Sequence, residues 1–236
     1  MTAFFRKLLI VGLIFLGCSG EITKQPNSQT SSVTSTNVGL ATGLEKISRE
    51  TSVKIYVLND DSVGHGSGTY IKYRGHYFVL TAYHVTQGGQ NIIGELGDFI
   101  LPLTPFVHNE TSDIAILSAP KYPDAKPLNL RLVDQGKIKI GQRVLYTGYP
   151  NLTGPLTIYG TVAGFSVTNS IILQSYAWGG ASGSAVLDYK GRVIGVVNGI
   201  EVVTNMLGLP TENENVILIK RLEEDLLRHV DFLLDN

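Results

Sequence analysis

Short runs of alternating apolar and polar residues fill most of the chain, and clusters of Gly, Pro, Asn and Asp separate them. The alternation is clearest at Val53, Ile55 and Val57, which are interleaved with Lys54 and Tyr56. A period of two predicts a strand that is buried on one face. Comparable runs bounded by turn residues predict ten further strands, at about 66–73, 77–81, 97–103, 113–118, 142–148, 157–166, 170–175, 184–188, 192–198 and 215–219.

Helical patterns are predicted only at the two ends of this strand-rich region. The sequence TGLE at 42–45 matches a capping box and predicts a short helix at about 43–49. A second helix is predicted at about 220–234, where one face carries Leu222, Leu226, Leu227, Val230 and Leu233. Eleven short strands in two runs, followed by a helix, predict an all-β fold of two packed antiparallel barrels with a C-terminal α-helix.

The first 18 residues have the pattern of an export signal. Arg6 and Lys7 precede an uninterrupted apolar run at 8–16, which is shorter than the roughly 20 residues that span a bilayer. The run leads into the sequence FLGC, which resembles the cleavage site of bacterial lipoproteins. This resemblance implies that Cys18 is acylated and becomes the new N-terminus. The alternatives are ordinary secretory cleavage with a free thiol, or a buried core segment.

Residues 19–41 separate this signal from the folded region. They are rich in Ser and Thr and contain no aromatic residue. Such a stretch buries too little apolar surface to offset the entropy lost on ordering, so a flexible linker is predicted. The predicted organisation is therefore a signal peptide with a lipidation site at 1–18, a linker at 19–41 and a folded domain at 42–234.

Composition and charge narrow the classes of function. With 19 basic and 20 acidic side chains the formal charge is −1, so no basic excess is available for binding nucleic acid. A single cysteine excludes an intramolecular disulfide and a cysteine-based zinc site. The sequence also lacks metal-ligand spacing, a phosphate-binding loop and a dinucleotide fingerprint, so no cofactor or metal is expected.

Three segments carry candidate chemistry, in the order His, Asp, Ser. They are FVLTAYHV at 78–85, SDIAIL at 112–117 and WGGASGSAV at 178–186. A serine hydroxyl becomes an effective nucleophile when a base accepts its proton, and a neutral imidazole suits that role near neutral pH. A buried carboxylate can fix the tautomer of the imidazole. These roles point to Ser182 as the nucleophile, His84 as the base and Asp113 as the orienting carboxylate.

Glycines near Ser182 on both sides allow a sharp backbone turn. Gly180 and Gly183 have no Cβ, so the chain can adopt left-handed conformations there and approach a substrate closely. The amide groups of Gly180 and Ser182 are expected to point together at a developing oxyanion. One such donor can lower a reaction barrier by roughly 3 kcal/mol.

From about 44 to 232, these motifs and their strand contexts resemble a chymotrypsin-like (trypsin-like) serine protease of the HtrA/Deg-type bacterial branch. The resemblance also rests on GSG at 66–68, GQRV at 141–144, GYP at 148–150, GTV at 160–162 and GRVIGV at 191–196. It implies two six-stranded barrels, at about 50–119 and 128–219, followed by the helix at 220–234. It also implies hydrolysis of peptide bonds through a Ser–His–Asp triad and an acyl-enzyme intermediate.

The chain departs from that family's pattern at several points. Ser184 and Ala185 follow the glycine after the nucleophile, where the family usually has Gly-Pro. Ala181 stands where digestive enzymes carry an Asp that pairs with a newly cut N-terminus, so activation by N-terminal cleavage is not expected. Full HtrA proteins continue into a PDZ domain, and none is expected here after the helix.

The resemblance also suggests substrate-binding residues. Counting six residues back from Ser182 places Tyr176 at the base of the primary specificity pocket, where it favours small or medium apolar side chains over Lys or Arg. The resemblance also implies that Asn198 lies in the segment that pairs with the substrate backbone. Asp188, the nearest acid, lies in a predicted hairpin turn at 188–192 and is expected to face solvent. Trp178 is expected to line the substrate cleft, with plain packing as the alternative.

These observations predict an exported serine endopeptidase, held in the cell envelope by a lipid anchor and acting on proteins or peptides. Two alternatives use the same residues: a non-catalytic binding protein that retains the protease fold, and an esterase with the same triad. The other histidines lack a motif and are expected at the surface; they are His65, His76, His108 and His229. The sequence alone assigns no oligomeric state and no particular substrate.

Overall fold

A computed structural model describes residues 43–60, 62–89, 91–204 and 210–236. The predicted signal peptide, the lipidation site Cys18 and the linker at 19–41 lie outside these residues and stay predictions. Within the described part of the chain, no helix is both long enough and apolar enough to cross a membrane.

Six antiparallel strands close into the first barrel. They are β1 (Ser52–Leu58), β2 (Val63–Tyr73), β3 (His76–Thr81), β4 (Asn91–Leu96), β5 (Phe99–Asn109) and β6 (Ile114–Ser118). Their order is β1-β4-β5-β6-β3-β2, and pairing of β2 with β1 closes the circle. Val53, Ile55 and Val57 are buried, as their alternation with more polar neighbours predicts.

One strand of the first barrel was not predicted. The sequence pattern indicated a single strand at about 97–103, but the chain forms β4, turns at Gly97 with φ at +56°, and continues as β5. Gly94 interrupts the apolar pattern of β4 and conceals this strand in the sequence. The structure explains the glycine, because a Cβ there would lie 2.7 Å from a methyl group of Val53 in the neighbouring strand β1.

A connector joins the two barrels and touches both. Its two-residue strand β7 (Leu128–Asn129) pairs in parallel with β2 of the first barrel. A few residues later, the backbone N–H of Val133 donates to the carbonyl of Val193 in the second barrel at 3.1 Å. The chain therefore leaves the first barrel only after residue 129.

The second barrel also has six antiparallel strands. They are β8 (Arg143–Gly148), β9 (Leu156–Phe165), β10 (Ile171–Gln174), β11 (Ala185–Asp188), β12 (Val193–Thr204) and β13 (Pro210–Lys220). The barrel closes in the order β10-β13-β12-β11-β8-β9. The predicted fold class, two six-stranded antiparallel barrels followed by a helix, is confirmed.

The turn between β11 and β12 corrects one expectation. Asp188 does not face solvent, because its side chain is completely buried. One carboxylate oxygen accepts from the backbone N–H groups of Lys190 and Arg192, each at 2.9 Å. The other accepts from the guanidinium of Arg192 at 2.9 and 2.7 Å. The hairpin folds around this carboxylate, which explains its burial.

Among the described residues, three α-helices accompany the barrels: α1 (Gly43–Thr51), α2 (Tyr83–Thr86) and α3 (Glu224–Asp235). The predicted helix at 43–49 is present as α1. The C-terminal helix starts later than the predicted residue 220: β13 extends to Lys220 and α3 begins only at Glu224, so Leu222 lies between the strand and the helix. Although α3 follows the second barrel in the sequence, its residues Leu226 and Val230 are buried in the apolar core of the first.

Two apolar clusters form the core. The larger fills the first barrel and includes Ala185 and Val196, from β11 and β12 of the second barrel. The smaller fills the second barrel around Tyr146, Leu173 and Ile217. Because β11 contributes to the first cluster, the loop that precedes β11 is held against the first barrel.

Candidate active site

The three predicted catalytic residues meet at one cleft. His84 lies in α2, just after β3; Asp113 immediately precedes β6; and Ser182 lies in the loop before β11. Strands β3 and β6 are hydrogen-bonded neighbours, so His84 and Asp113 come together at the same end of that pair. The cleft has a volume of about 370 Å³, and both His84 and Ser182 line it. We call it the active-site cleft.

His84 and Asp113 contact each other at two points. The ring Nδ1 of His84 lies 2.7 Å from Oδ2 of Asp113. The backbone N–H of His84 donates to Oδ1 at 2.8 Å. Since an ionised carboxylate can only accept, the imidazole must carry its proton on Nδ1, which leaves Nε2 free to accept in the neutral ring.

The surroundings of Asp113 favour its charged form. Burial opposes ionisation, but hydrogen bonds from the ring and backbone N–H of His84, and from the side chain of Asn198, outweigh it. The pKa of the Asp113 carboxyl is therefore lowered from its ordinary value of 3.8. A carboxylate that stays charged at neutral pH can orient an imidazole and stabilise its protonated form.

Asn198, in β12, contacts both Asp113 and Ser182. Its side-chain amide donates to Oδ2 of Asp113, the oxygen that also faces His84. Its backbone carbonyl accepts from the hydroxyl of Ser182 at 3.1 Å. The sequence indicated Asn198 only as a partner for the substrate backbone, so the contact with Asp113 was missed.

The hydroxyl of Ser182 is not hydrogen-bonded to the base in this structure. Among the described residues, its hydrogen-bond partner is the carbonyl of Asn198, and no hydrogen bond joins it to the ring of His84. Catalytic hydrogen bonds are often loose in a free enzyme and tighten when a substrate is bound.

The loop residues before Ser182 present the amide of Gly180 to the cleft side. The carbonyl of Gly179 accepts from the backbone N–H of Asn151 at 2.7 Å. The peptide bonds are trans, and a trans peptide places its N–H opposite its C=O. The N–H of Gly180 therefore points away from Asn151, and Gly180 itself lines the active-site cleft.

The amide of Ser182 is oriented in the same way. The carbonyl of Ala181 accepts from the backbone N–H and the hydroxyl of Ser184, at 3.2 and 2.8 Å, so the N–H of Ser182 points away from Ser184. Within the described part of the chain, neither this amide nor that of Gly180 donates to another protein group. Two unpaired donors close to a serine hydroxyl are what stabilisation of an oxyanion requires.

Glycine is required at two positions of this loop. Gly180 and Gly183 have φ angles of +97° and +94°, in the region that other residues rarely adopt. A Cβ at Gly180 would lie 2.7 Å from the carbonyl of Tyr149 and 2.8 Å from Nε2 of His65. A Cβ at Gly183 would collide with the carbonyl of Ser67.

Two residues of β2 contact the loop that carries Ser182, and these contacts were not predicted. His65 was expected at the surface, but its Nε2 is buried, has no hydrogen-bond partner among the described residues and faces Gly180. The hydroxyl of Ser67 donates to the carbonyl of Gly180 at 2.7 Å. The GSG sequence that contains Ser67 was part of the family resemblance, and it was the only available signal.

Tyr176 is not among the residues that line the active-site cleft. Its side chain is 54% exposed, and its ring stacks on that of Trp178 with 6.2 Å between the centroids. It lines a separate cleft of about 560 Å³ with Arg143, Gln174 and Asn215. The role of Tyr176 at the base of a specificity pocket stays a prediction.

Within the described ranges, no group of three or more His, Cys, Asp or Glu side chains is arranged so that it could hold a metal ion. The imidazole of His84 and the hydroxyl of Ser182 line the active-site cleft, and these groups can take part in acid–base and nucleophilic chemistry.

The family model of the trypsin-like peptidase domain matches residues 66–196. This match covers more than half of the 236 residues and includes His84, Asp113 and Ser182. The chain belongs to the trypsin-like peptidase family. Membership of this family supports a protease function, with proteins or peptides as substrates. A comparison with curated proteins finds no match.

Solved protease structures share the fold of this trypsin-like peptidase domain. The Rv3671c protease from M. tuberculosis, in its active form, is 21% identical, with 79% of this chain and 82% of that chain covered and a TM-score of 0.62. A serine endoprotease from Yersinia pestis is 19% identical, with coverages of 81% and 65% and a TM-score of 0.63. The HtrA-type protease AlgW, solved with a tripeptide, is 20% identical, with coverages of 80% and 61% and a TM-score of 0.65. At these identities the likeness establishes the chymotrypsin-like fold.

Proposed function

We propose that the protein is a serine endopeptidase that hydrolyses peptide bonds with Ser182 as nucleophile, His84 as base and Asp113 as orienting carboxylate. The observation that carries the proposal is the 2.7 Å contact between His84 Nδ1 and Asp113 Oδ2, on a histidine that shares its cleft with Ser182. A carboxylate that holds an imidazole beside a serine serves proton transfer from the hydroxyl.

In the proposed reaction, Ser182 Oγ turns from the carbonyl of Asn198 towards Nε2 of His84. His84 takes the hydroxyl proton while Oγ bonds to the scissile carbonyl carbon, and the carbonyl oxygen becomes an oxyanion near the amides of Gly180 and Ser182. His84 then gives the proton to the leaving amine as the C–N bond breaks. A water molecule, deprotonated by His84, then attacks the acyl carbon; the bond from that carbon to Oγ breaks, and His84 returns the proton to Ser182 Oγ.

The substrate would bind as an extended strand beside β12, with its backbone hydrogen-bonded near Asn198. We expect no preference for Lys or Arg before the scissile bond. The described residues that line the cleft beside Tyr176 include no carboxylate and do include Arg143. A cationic side chain buried there would lose its hydration without gaining a partner.

The proposal extends to location. We propose that the protein is exported and is held in the cell envelope by acylation of Cys18, with residues 19–41 as a tether. The support is the sequence alone: a basic start, a short apolar run and FLGC at 15–18. One acyl chain binds a membrane only marginally, so firm anchoring requires more than one chain.

Labelling with a fluorophosphonate probe, together with cleavage of casein, tests the catalytic proposal. Wild type should be labelled and active. Ser182→Ala should be neither, because it lacks the proposed nucleophile, and it should still fold, because only a hydroxyl is lost. Ser62→Ala is the matched control, because Ser62 lines the same cleft but has no proposed role. Equal labelling of wild type and Ser182→Ala would reject the assignment. A folded wild type without labelling would favour the non-catalytic alternative, and ester hydrolysis without casein cleavage would favour an esterase.

Cys18→Ala tests the anchor. The variant should not incorporate radiolabelled fatty acid, and it should remain unprocessed or appear in the soluble fraction. A Cys18→Ala protein that is cleaved normally and still fractionates with membranes would reject lipidation as the means of attachment.

A further inference from the structure

We infer that Ser67 is a positioning residue for the oxyanion hole, a role that rests on the proposed function. Ser67 lies in β2 of the first barrel, 113 residues from Gly180 in the sequence. Its hydroxyl donates to the carbonyl of Gly180 at 2.7 Å. The same hydroxyl oxygen accepts from the backbone N–H of Tyr149 at 2.9 Å. Ser67 thus bridges the nucleophile loop (residues 178–184) and the segment that follows β8.

Ser67 has one well-defined position. Its exposed fraction is 0%, so water does not compete for its hydrogen bonds. Its backbone N–H donates to the carbonyl of Ser182 at 2.8 Å, and its carbonyl accepts from the hydroxyl of Thr81 at 2.7 Å. Through Ser67, strand β2 therefore holds the nucleophile loop at two points, Gly180 and Ser182.

Gly180 is the residue that needs such a restraint. Its φ is +97°, and without a Cβ the peptide groups on either side of it can rotate at little cost. The preceding carbonyl, of Gly179, is held by the N–H of Asn151 at 2.7 Å. The following carbonyl, of Gly180 itself, is held by Ser67. Together the two hydrogen bonds fix the direction of the Gly180 N–H, one of the proposed oxyanion donors.

Loss of the Ser67 hydroxyl should affect the transition state more than the bound substrate. Without it the carbonyl of Gly180 would lose its hydrogen bond, and the N–H of Gly180 would be aimed less often at the oxyanion. The negative charge on that oxygen develops only in the transition state, so the lost interaction lowers kcat and leaves substrate binding nearly unchanged.

The test compares Ser67→Ala with Ser48→Ala. Ser48 is a matched control because its hydroxyl is also buried and also bonds to another segment, Thr147 at 2.7 Å, but forms no hydrogen bond with the described residues of the nucleophile loop. For Ser67→Ala, kcat on a peptide substrate should fall about 10- to 100-fold, with KM changed less than about twofold. Hydrogen–deuterium exchange of residues 178–184 should become faster. Ser48→Ala should alter neither measurement.

A second variant covers the case in which Ser67→Ala does not fold. Ser67→Cys keeps a weak donor of similar size, so its kcat and its exchange rate at 178–184 should lie between those of wild type and full loss of the hydroxyl. A value of kcat for Ser67→Cys equal to wild type, with unchanged exchange, would count against the inference.

The two measurements separate the inference from the proposed function. Unchanged exchange at 178–184 in Ser67→Ala would overturn the inference, whether or not the protein is a protease. Faster exchange with unchanged kcat, or a rise in KM alone, would overturn the link to the oxyanion. Faster exchange in a protein whose wild type is not labelled by a fluorophosphonate would reject the proposed function and still support positioning of the loop by Ser67.

Discussion

Replacing Asp188 by Ala should lower the free energy of unfolding by about 3 kcal/mol. The carboxylate is completely buried at the end of β11 and accepts four hydrogen bonds, two from the backbone N–H groups of Lys190 and Arg192 and two from the guanidinium of Arg192. Alanine removes all of these bonds and leaves the guanidinium without its partner.

The size of this loss in the free energy of unfolding depends on which groups water can reach. The side chain of Arg192 is 32% exposed, so its share should be about 1–2 kcal/mol rather than the 3–5 kcal/mol of a fully buried pair. The two backbone hydrogen bonds, made to a charged acceptor, should add about 1 kcal/mol each. Asp188→Asn keeps an oxygen for the backbone groups, but its amide NH2 replaces the oxygen that accepts from Arg192, so the charge and both guanidinium hydrogen bonds are lost. Its cost should therefore be about half that of Asp188→Ala.

Urea unfolding, followed by the fluorescence of the single tryptophan, Trp178, measures both variants. The matched control is Asp134→Ala. Asp134 also accepts from a turn N–H and pairs with a nearby cation, each at 3.0 Å, but its side chain is 59% exposed. Water replaces its partners, so the unfolding midpoint should hardly change. A loss for Asp188→Ala no larger than that of the control would refute the reasoning.

Three other predictions concern the site. Asp113→Asn should lower kcat/KM by about 10⁴-fold, because an amide can impose the wrong imidazole tautomer. The pKa of Asp113 is lowered from 3.8, so the stability that its carboxylate contributes is present above that pH and is lost in acid. The free energies of unfolding of wild type and Asp113→Asn should therefore converge between about pH 5 and about pH 2. Gly183→Ala should abolish casein cleavage, because the new Cβ would collide with the carbonyl of Ser67. The control, Gly179→Ala, should be folded and active, because its Cβ would have no neighbouring atom nearer than 3.9 Å. Cleavage-site profiling on a peptide library should show small or medium apolar residues before the scissile bond, and a dominant Lys or Arg would contradict the role of Tyr176.

Local patterns in the sequence predicted most of the strands, because the alternation of buried and exposed residues is a property of neighbouring positions. That signal failed at β4, where Gly94 breaks the alternation for a reason that lies in the adjacent strand. It also failed at the start of α3, because Leu222, which helical spacing places on the apolar face, is buried but precedes the helix. The partner of α3 could not be predicted either, since helical spacing shows which face is buried but not against what.

The sequence alone pointed to His84, Asp113 and Ser182 as candidates, because the chemistry of a nucleophile, a base and an orienting carboxylate constrains residue type and local motif. It also indicated why Gly180 and Gly183 are glycines. Only the tertiary structure decided that Ser182 bonds to the carbonyl of Asn198, that Asp188 is buried and that Ser67 holds the nucleophile loop. The contact from Ser67 joins residues 113 positions apart, and such contacts arise when two barrels pack together, so no pattern of neighbouring residues encodes them.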